Sequence, residues 1–184
     1  MSSVSESAVE RRVRAWLDSF VVGLNLCPFA RPVVASESLR ISICDANQLQ
    51  TVAQRFLTEL DLIHQSPESE IATTLLVIPN ALADFNEYLS FIENAEALIE
   101  EMGVANLIQL ASFHPHYQFE GEPANSASHF TNRSPYPILH FLREEMMTKL
   151  LADFPHPEQI PQRNIKTLQT IGRAQIEQQW NELW

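Results

Sequence analysis

Apolar side chains recur at helical spacing in three stretches of the first half of the chain. The first stretch begins after Ser7, a residue that suits a helix N-cap, and ends near Gly23 or Asn25. The second begins after Asn47, and the third ends at Gly103, where glycine is favoured just past a helix. Each pattern predicts an amphipathic helix with one face turned to a core.

The second half of the chain predicts two further helices. Ser134 suits an N-cap and Pro135 suits the first helical residue, so a helix is expected from there to about Leu151. A terminal helix is expected over residues 165–180, with an interruption near Gly172.

Three strands are expected between these helices. Residues 40–44 alternate, whereas 71–78 are continuously apolar, as in a strand covered on both faces. Residues 107–113 are the third strand candidate. Strands that alternate with helices indicate an α/β fold: a small, mainly parallel or mixed sheet with helices packed on it, plus a C-terminal helical segment. The 184 residues suit one domain (1–184), with 155–184 as a helical extension.

Charge and hydropathy argue against two classes of partner, nucleic acids and membranes. The formal net charge of −11 disfavours nucleic acid, whose phosphates carry the same sign. The longest apolar run, residues 75–78, is far short of the ~20 residues that span a bilayer, and residues 1–6 lack the features of a signal peptide. A cytoplasmic protein with reduced cysteines is expected, without a membrane partner; a homo-oligomer stays open.

The loop from His114 to Arg133 is the first candidate site. It has no helical period, and loops of this length inside compact domains are often functional. His114 and His116 lie just past the third strand, and alternation would place both on one face. With a third ligand they would suit a divalent metal such as zinc. His129 is the preferred third ligand, and the alternatives are His140, Glu120, Glu122 and Cys27. Alternatively, these histidines form hydrogen bonds in a polar crevice.

Arg133 is the second candidate, because it directly precedes the helix predicted at Ser134. A helix N-terminus and a guanidinium together attract a carboxylate or phosphate. The alternative is that Arg133 pairs with a structural carboxylate such as Glu144 or Asp153. Three neighbouring residues complete the predicted substrate-binding set: Asn132, Tyr136 and His140.

Cys27 is the third candidate. It follows the first helix and precedes Pro28, and a cysteine paired with a histidine can act as nucleophile and base. The alternative is a small buried residue with no chemical role.

Several of these segments resemble one known family. Leu26-Cys27-Pro28-Phe29, Phe113-His114-Pro115 and Thr131-Asn132-Arg133-Ser134-Pro135-Tyr136-Pro137 are similar to the bacterial and plastid family named domain of unknown function 1415. The resemblance covers nearly the whole chain. It implies a cytosolic stand-alone domain and the same motif residues, but no activity. It also implies acidic residues where this chain has Asn125-Ser126-Ala127-Ser128, which weakens the metal hypothesis.

Two functions follow from these candidates. The first is an enzyme acting on a small anionic metabolite, with His114, His116 and Cys27 performing metal-dependent hydrolysis or acid–base chemistry. The second is a non-catalytic module that binds a small ligand or a metal. A purely structural or partner-binding domain is the third interpretation, and it predicts that the motif residues satisfy one another internally.

Overall fold

The computed structural model describes residues 7–184, so the segment 1–6 considered for a signal peptide lies outside the described residues. The helices are α1 (Ala8–Trp16), α2 (Ala30–Val34), α3 (Leu49–Gln65), α4 (Phe85–Glu101), α5 (Glu144–Ala152), α6 (Ile160–Ile171) and α7 (Arg173–Asn181). The strands are β1 (Leu39–Ile43), β2 (Thr73–Val77), β3 (Ile108–Phe113) and β4 (Ile138–Arg143). Short 3₁₀ turns occupy Ala127–Thr131 and Pro157–Gln159.

The strands form one mixed sheet in the order β1-β2-β4-β3. β1 and β2 are parallel, and β4 runs antiparallel to both β2 and β3. The predicted α/β class with a mixed sheet and a C-terminal helical segment is confirmed.

Each face of the sheet is covered by helices that bury an apolar stripe. Val52, Phe56 and Leu60 of α3 pack on one face together with Tyr88 and Ile92 of α4. The other face is covered by α1, α6 and α7 through buried residues of each helix, among them Val13, Trp16, Leu168 and Ile176. Side chains alternate between the two faces along each strand, so odd and even positions of β2 and β4 belong to different cores.

The helix predicted from Ser134 to Leu151 is wrong in its first half. Residues 138–143 form β4, in the middle of the sheet, and α5 begins only at Glu144. Ile138 to Leu142 is apolar apart from one histidine, and a short run of that kind suits a doubly covered strand as well as a helix. The tertiary structure decides in favour of the strand, because β4 supplies hydrogen bonds to both β2 and β3.

The other helix ends are close to those expected. Ser7 caps α1 by accepting a hydrogen bond from the backbone N–H of Glu10 at 3.1 Å. Gly172 has a φ of 83° and separates α6 from α7, which confirms the predicted interruption. Asn47 does not cap α3, however, because Gln48 occupies that position without a side-chain hydrogen bond.

The first helix changes its winding before it ends. After Trp16 the chain continues as a π-helical segment from Leu17 to Val22, a conformation that is rare and often found near functional sites. No helix within residues 7–184 has the length and apolarity required to cross a membrane.

Candidate functional site

His114 is buried at the end of β3, and both of its ring nitrogens are engaged. Nδ1 accepts a hydrogen bond from the backbone N–H of His116 at 3.0 Å. Nε2 therefore carries the proton of the neutral ring and donates to the carbonyl of Leu82 at 2.9 Å. Burial lowers the pKa of His114, which favours this neutral form. The ring packs against Phe85 and Tyr88, so His114 serves to join β3 to the start of α4.

His116 lies beside His114, with ring centroids 5.8 Å apart, but it is less buried. Its side chain is exposed, because the chain leaves the strand at Phe113 and turns through residues 115 and 116. The strand does not continue to His116, so the alternation along β3 does not determine the direction of its side chain.

His129 is buried and uses the same bonding pattern as His114. Nδ1 accepts from the backbone N–H of Phe119 at 3.2 Å, and Nε2 donates to the carbonyl of Pro123 at 2.9 Å. Both nitrogens thus hold the long loop in place. In the part of the chain that the structure describes, no three His, Cys, Asp or Glu side chains are arranged to hold a metal ion. The predicted set of His114, His116 and His129 is not assembled.

Arg133 is partly buried beside the aromatic ring of Phe130, with its guanidinium carbon 4.7 Å from the ring centroid. Its Nε donates to the carbonyl of Tyr117 at 3.3 Å. Among the described residues, Arg133 makes no ion pair with Glu144 or Asp153, the structural partners that the sequence suggests. The helix N-terminus predicted at Ser134 is absent, because Ser134 precedes the strand β4.

The remaining loop residues are used internally. Ser134 is completely buried and donates its hydroxyl proton to the carbonyl of Tyr136 at 2.5 Å. Asn132 donates its side-chain amide to the carbonyl of Ser112 at 3.1 Å. The hydroxyl of Tyr136 accepts a hydrogen bond from Arg12. The predicted substrate-binding residues are therefore dispersed, and these three stabilise the loop.

His140 lies on β4, not on the predicted helix, and it points toward the α1 face of the sheet. The hydroxyl of Thr73 donates to the carbonyl of Phe141 at 2.6 Å. Since that hydroxyl has a single proton, it accepts from Nε2–H of His140, at 2.6 Å. Burial lowers the pKa of His140 to about 4, so the ring is neutral near pH 7. Nδ1 then keeps a lone pair with no hydrogen-bond partner among the described residues.

An apolar cavity of about 210 Å³ lies directly beside His140. Its walls come from the first helix and its π-helical continuation, from α2, from the sheet and from α5. Typical lining residues are Trp16, Val21, Val33, Leu75, Phe113 and Met147. Three polar side chains interrupt this apolar lining: Cys27, Thr73 and His140.

Cys27 also lines this cavity, near the start of α2. Burial raises the pKa of its thiol, although backbone N–H groups of Phe29 and Ala30 and the charge of Arg163 act in the opposite direction. The group is therefore a neutral thiol near pH 7, which is a poorer nucleophile than a thiolate. Cys27 and His140 share the cavity, whereas His114 is not part of its lining.

The comparison with protein families agrees with the motifs. The model of a family described as "Protein of unknown function (DUF1415)" matches residues 8–178. The chain belongs to the DUF1415 family. Neither the curated proteins nor the solved structures contain a match to it.

Only two of the three polar residues that line the cavity of this DUF1415 protein were identified from its sequence. Cys27 and His140 were singled out, but on separate grounds and with His140 on a helix. Thr73 was missed, although a hydroxyl within the apolar run 71–78 is a visible departure from that pattern. The apolar lining carries no sequence signal of its own, because it uses the same residue types as an ordinary core.

Proposed function

We propose that this DUF1415 protein binds a small, largely apolar molecule that carries one hydrogen-bond donor. The cavity beside His140 carries the proposal. Its volume, about 210 Å³, exceeds the roughly 150 Å³ that suffices to bind benzene in an apolar protein cavity. A single aromatic ring with a short substituent, or an aliphatic chain of similar volume, is the matching size class.

The polar part of the ligand follows from the state of His140. Thr73 fixes Nε2 of the ring as the donor, so Nδ1 offers only a lone pair. A hydroxyl, amide or protonated acid would satisfy that lone pair, whereas a carboxylate would repel it. Such a donor would gain a hydrogen bond in apolar surroundings, where the bond is stronger than in water.

An enzyme acting on a small anionic metabolite is less well supported than this binding role. Both ring nitrogens of His114 are engaged, and Cys27 is held as a neutral thiol. A catalytic pair formed by His114 and Cys27 would require both side chains to rearrange. Binding in the cavity needs no such change, so the non-catalytic ligand-binding hypothesis is preferred.

Two matched probes test the proposal, p-cresol and toluene, which differ by one hydroxyl. Each should raise the thermal midpoint of unfolding in proportion to the logarithm of its concentration, as expected for a ligand that binds only the folded state. In His140→Leu, toluene should still bind. The dissociation constant of p-cresol relative to toluene should rise by about tenfold, because its hydroxyl is then buried without a partner.

A second pair of variants tests the location. Ala111 lines the cavity and is paired across the sheet with His140, so Ala111→Leu should fill the space and abolish binding of both probes. Ala97→Leu makes the same change on the exposed face of α4 and should leave binding unchanged. Saturable binding that survives Ala111→Leu, or no binding by the unaltered protein, would reject the proposal.

A further inference from the structure

A pair of arginines lies outside the cavity, at the junction of the long loop and α7. Arg173 begins α7, and its Nε donates to Glu177 at 2.6 Å. Its Nη1 is buried and has no hydrogen-bond partner within the described residues. A buried guanidinium N–H without an acceptor is costly, so a shift of this partly exposed side chain toward an oxygen acceptor would be favourable.

Aromatic packing places Arg133 beside the same helix. Arg173, Glu177 and Trp180 are spaced at i, i+4 and i+7, which puts them on one face of α7. The ring of Trp180 packs edge-on against Phe130, with centroids 5.4 Å apart. The guanidinium of Arg133 lies over that same Phe130 ring.

Positive charge exceeds negative charge around Arg133 and Arg173. Arg133 makes its hydrogen bond through Nε to a neutral carbonyl, and neither of its terminal nitrogens has a partner in residues 7–184. Burial and the neighbouring positive charge of Arg173 both lower the pKa of Arg133, and Glu177 is the carboxylate that opposes them. Two guanidinium groups thus share one carboxylate, in a chain whose net charge is −11.

We infer that Arg133 and Arg173 together form a binding site for a small oxyanion, a carboxylate or phosphate group. Two guanidinium forks with free N–H groups match the geometry and charge of such an anion. A bound oxyanion would draw the side chain of Arg173 toward it, which would give Nη1 an acceptor and relieve the repulsion between the two cations. This site is independent of the apolar cavity, and its existence does not depend on the function proposed there.

Inorganic phosphate and succinate are suitable probes, each compared with chloride at equal ionic strength. At least one of the two oxyanions should raise the thermal midpoint of unfolding with its concentration by more than chloride does. The probe that acts more strongly identifies the preferred anion class. If neither exceeds chloride with the unaltered protein, the inference is wrong, and no variant is needed to reach that conclusion.

Three substitutions locate the site. Arg133→Gln and Arg173→Gln should each weaken oxyanion binding by about tenfold, measured by titration calorimetry below the unfolding temperature of the variant. Lys166→Gln removes the same charge from an exposed position on α6, and should change binding by less than about twofold. Equal losses in all three variants would show a general charge effect and would overturn the assignment.

Glu177→Gln gives a test with the opposite sign. This change removes the carboxylate that competes with an incoming anion for Arg173, so the oxyanion should bind more tightly. A purely structural role for the arginines would not produce opposite effects from the two kinds of substitution. Unchanged or weaker binding in Glu177→Gln would contradict the site.

Discussion

The neutral state of His140 makes a quantitative prediction about stability at acidic pH. The pKa of His140 is about 4 in the folded protein, against 6.5 for an unperturbed histidine. Above pH 6.5 the ring is neutral in both states and contributes no pH dependence. As pH falls below that value, the unfolded chain gains a proton that the folded protein does not, so the folded state loses stability.

The size of the loss follows from the two pKa values. If the ring stayed neutral down to its folded pKa, the full loss would be about 3 kcal/mol, reached near pH 4. Most of this loss is already expected at about pH 5, where His140 alone accounts for about 2 kcal/mol. His114 adds to the wild-type slope with the same sign, because burial lowers its pKa as well.

Urea unfolding followed by circular dichroism measures this slope when repeated between about pH 7.5 and about pH 5 at constant ionic strength. In His140→Gln, the side-chain amide replaces Nε2–H as the donor to Thr73, but it does not titrate. The free energy of unfolding of this variant should therefore fall by about 2 kcal/mol less than that of the unaltered protein across that interval. His156→Gln, at an exposed position, is the matched control and should retain the full slope. An identical slope in His140→Gln and the unaltered protein would refute the neutral, buried histidine.

Three other substitutions test how the fold is held together. Arg143 donates to the carbonyls of Ile71, Ile63 and Ser66 at 2.7–2.9 Å. Arg143→Met should therefore lower the free energy of unfolding by about 3 kcal/mol. The same change at the exposed Arg31 is the control and should alter the free energy of unfolding by less than about 0.5 kcal/mol. The hydroxyl of Thr74 is buried without a partner, so Thr74→Val should raise the free energy of unfolding by about 1 kcal/mol, and a loss would contradict this account. A Cβ at Gly23 would lie 2.3 Å from the carbonyl oxygen of Ser19. Gly23→Ala should therefore destabilise the protein by about 2 kcal/mol in urea unfolding, and unchanged stability would contradict the clash.

The ion pair between α3 and β1 illustrates a feature that sequence patterns conceal. Glu59 lies on the apolar stripe of α3 and is fully buried. Burial opposes its ionisation, but hydrogen bonds from Arg40 and Ser42 outweigh that effect and lower its pKa. Arg40 and Ser42 are alternate residues of β1, so one strand face supplies both donors. The spacing alone would not have revealed that this face meets a buried carboxylate.

The amino-acid sequence by itself determined most of the local structure. The capping serine at Ser7, the glycines at 103 and 172, and the apolar periods of α3 and α4 predicted the observed helices closely, because these features act over a few neighbouring residues. The α/β class followed from their order, and the motif residues identified the DUF1415 family.

The tertiary structure decided what local patterns cannot express. Residues 138–143 are equally compatible with a helix or a buried strand, and only pairing with β2 and β3 selects the strand. Because this segment is a strand, His140 lines the apolar cavity and does not face the loop from a helix. The same long-range packing engaged both nitrogens of His114 and His129. A side chain's chemistry depends on which distant groups surround it, and those contacts exist only after the sheet has formed.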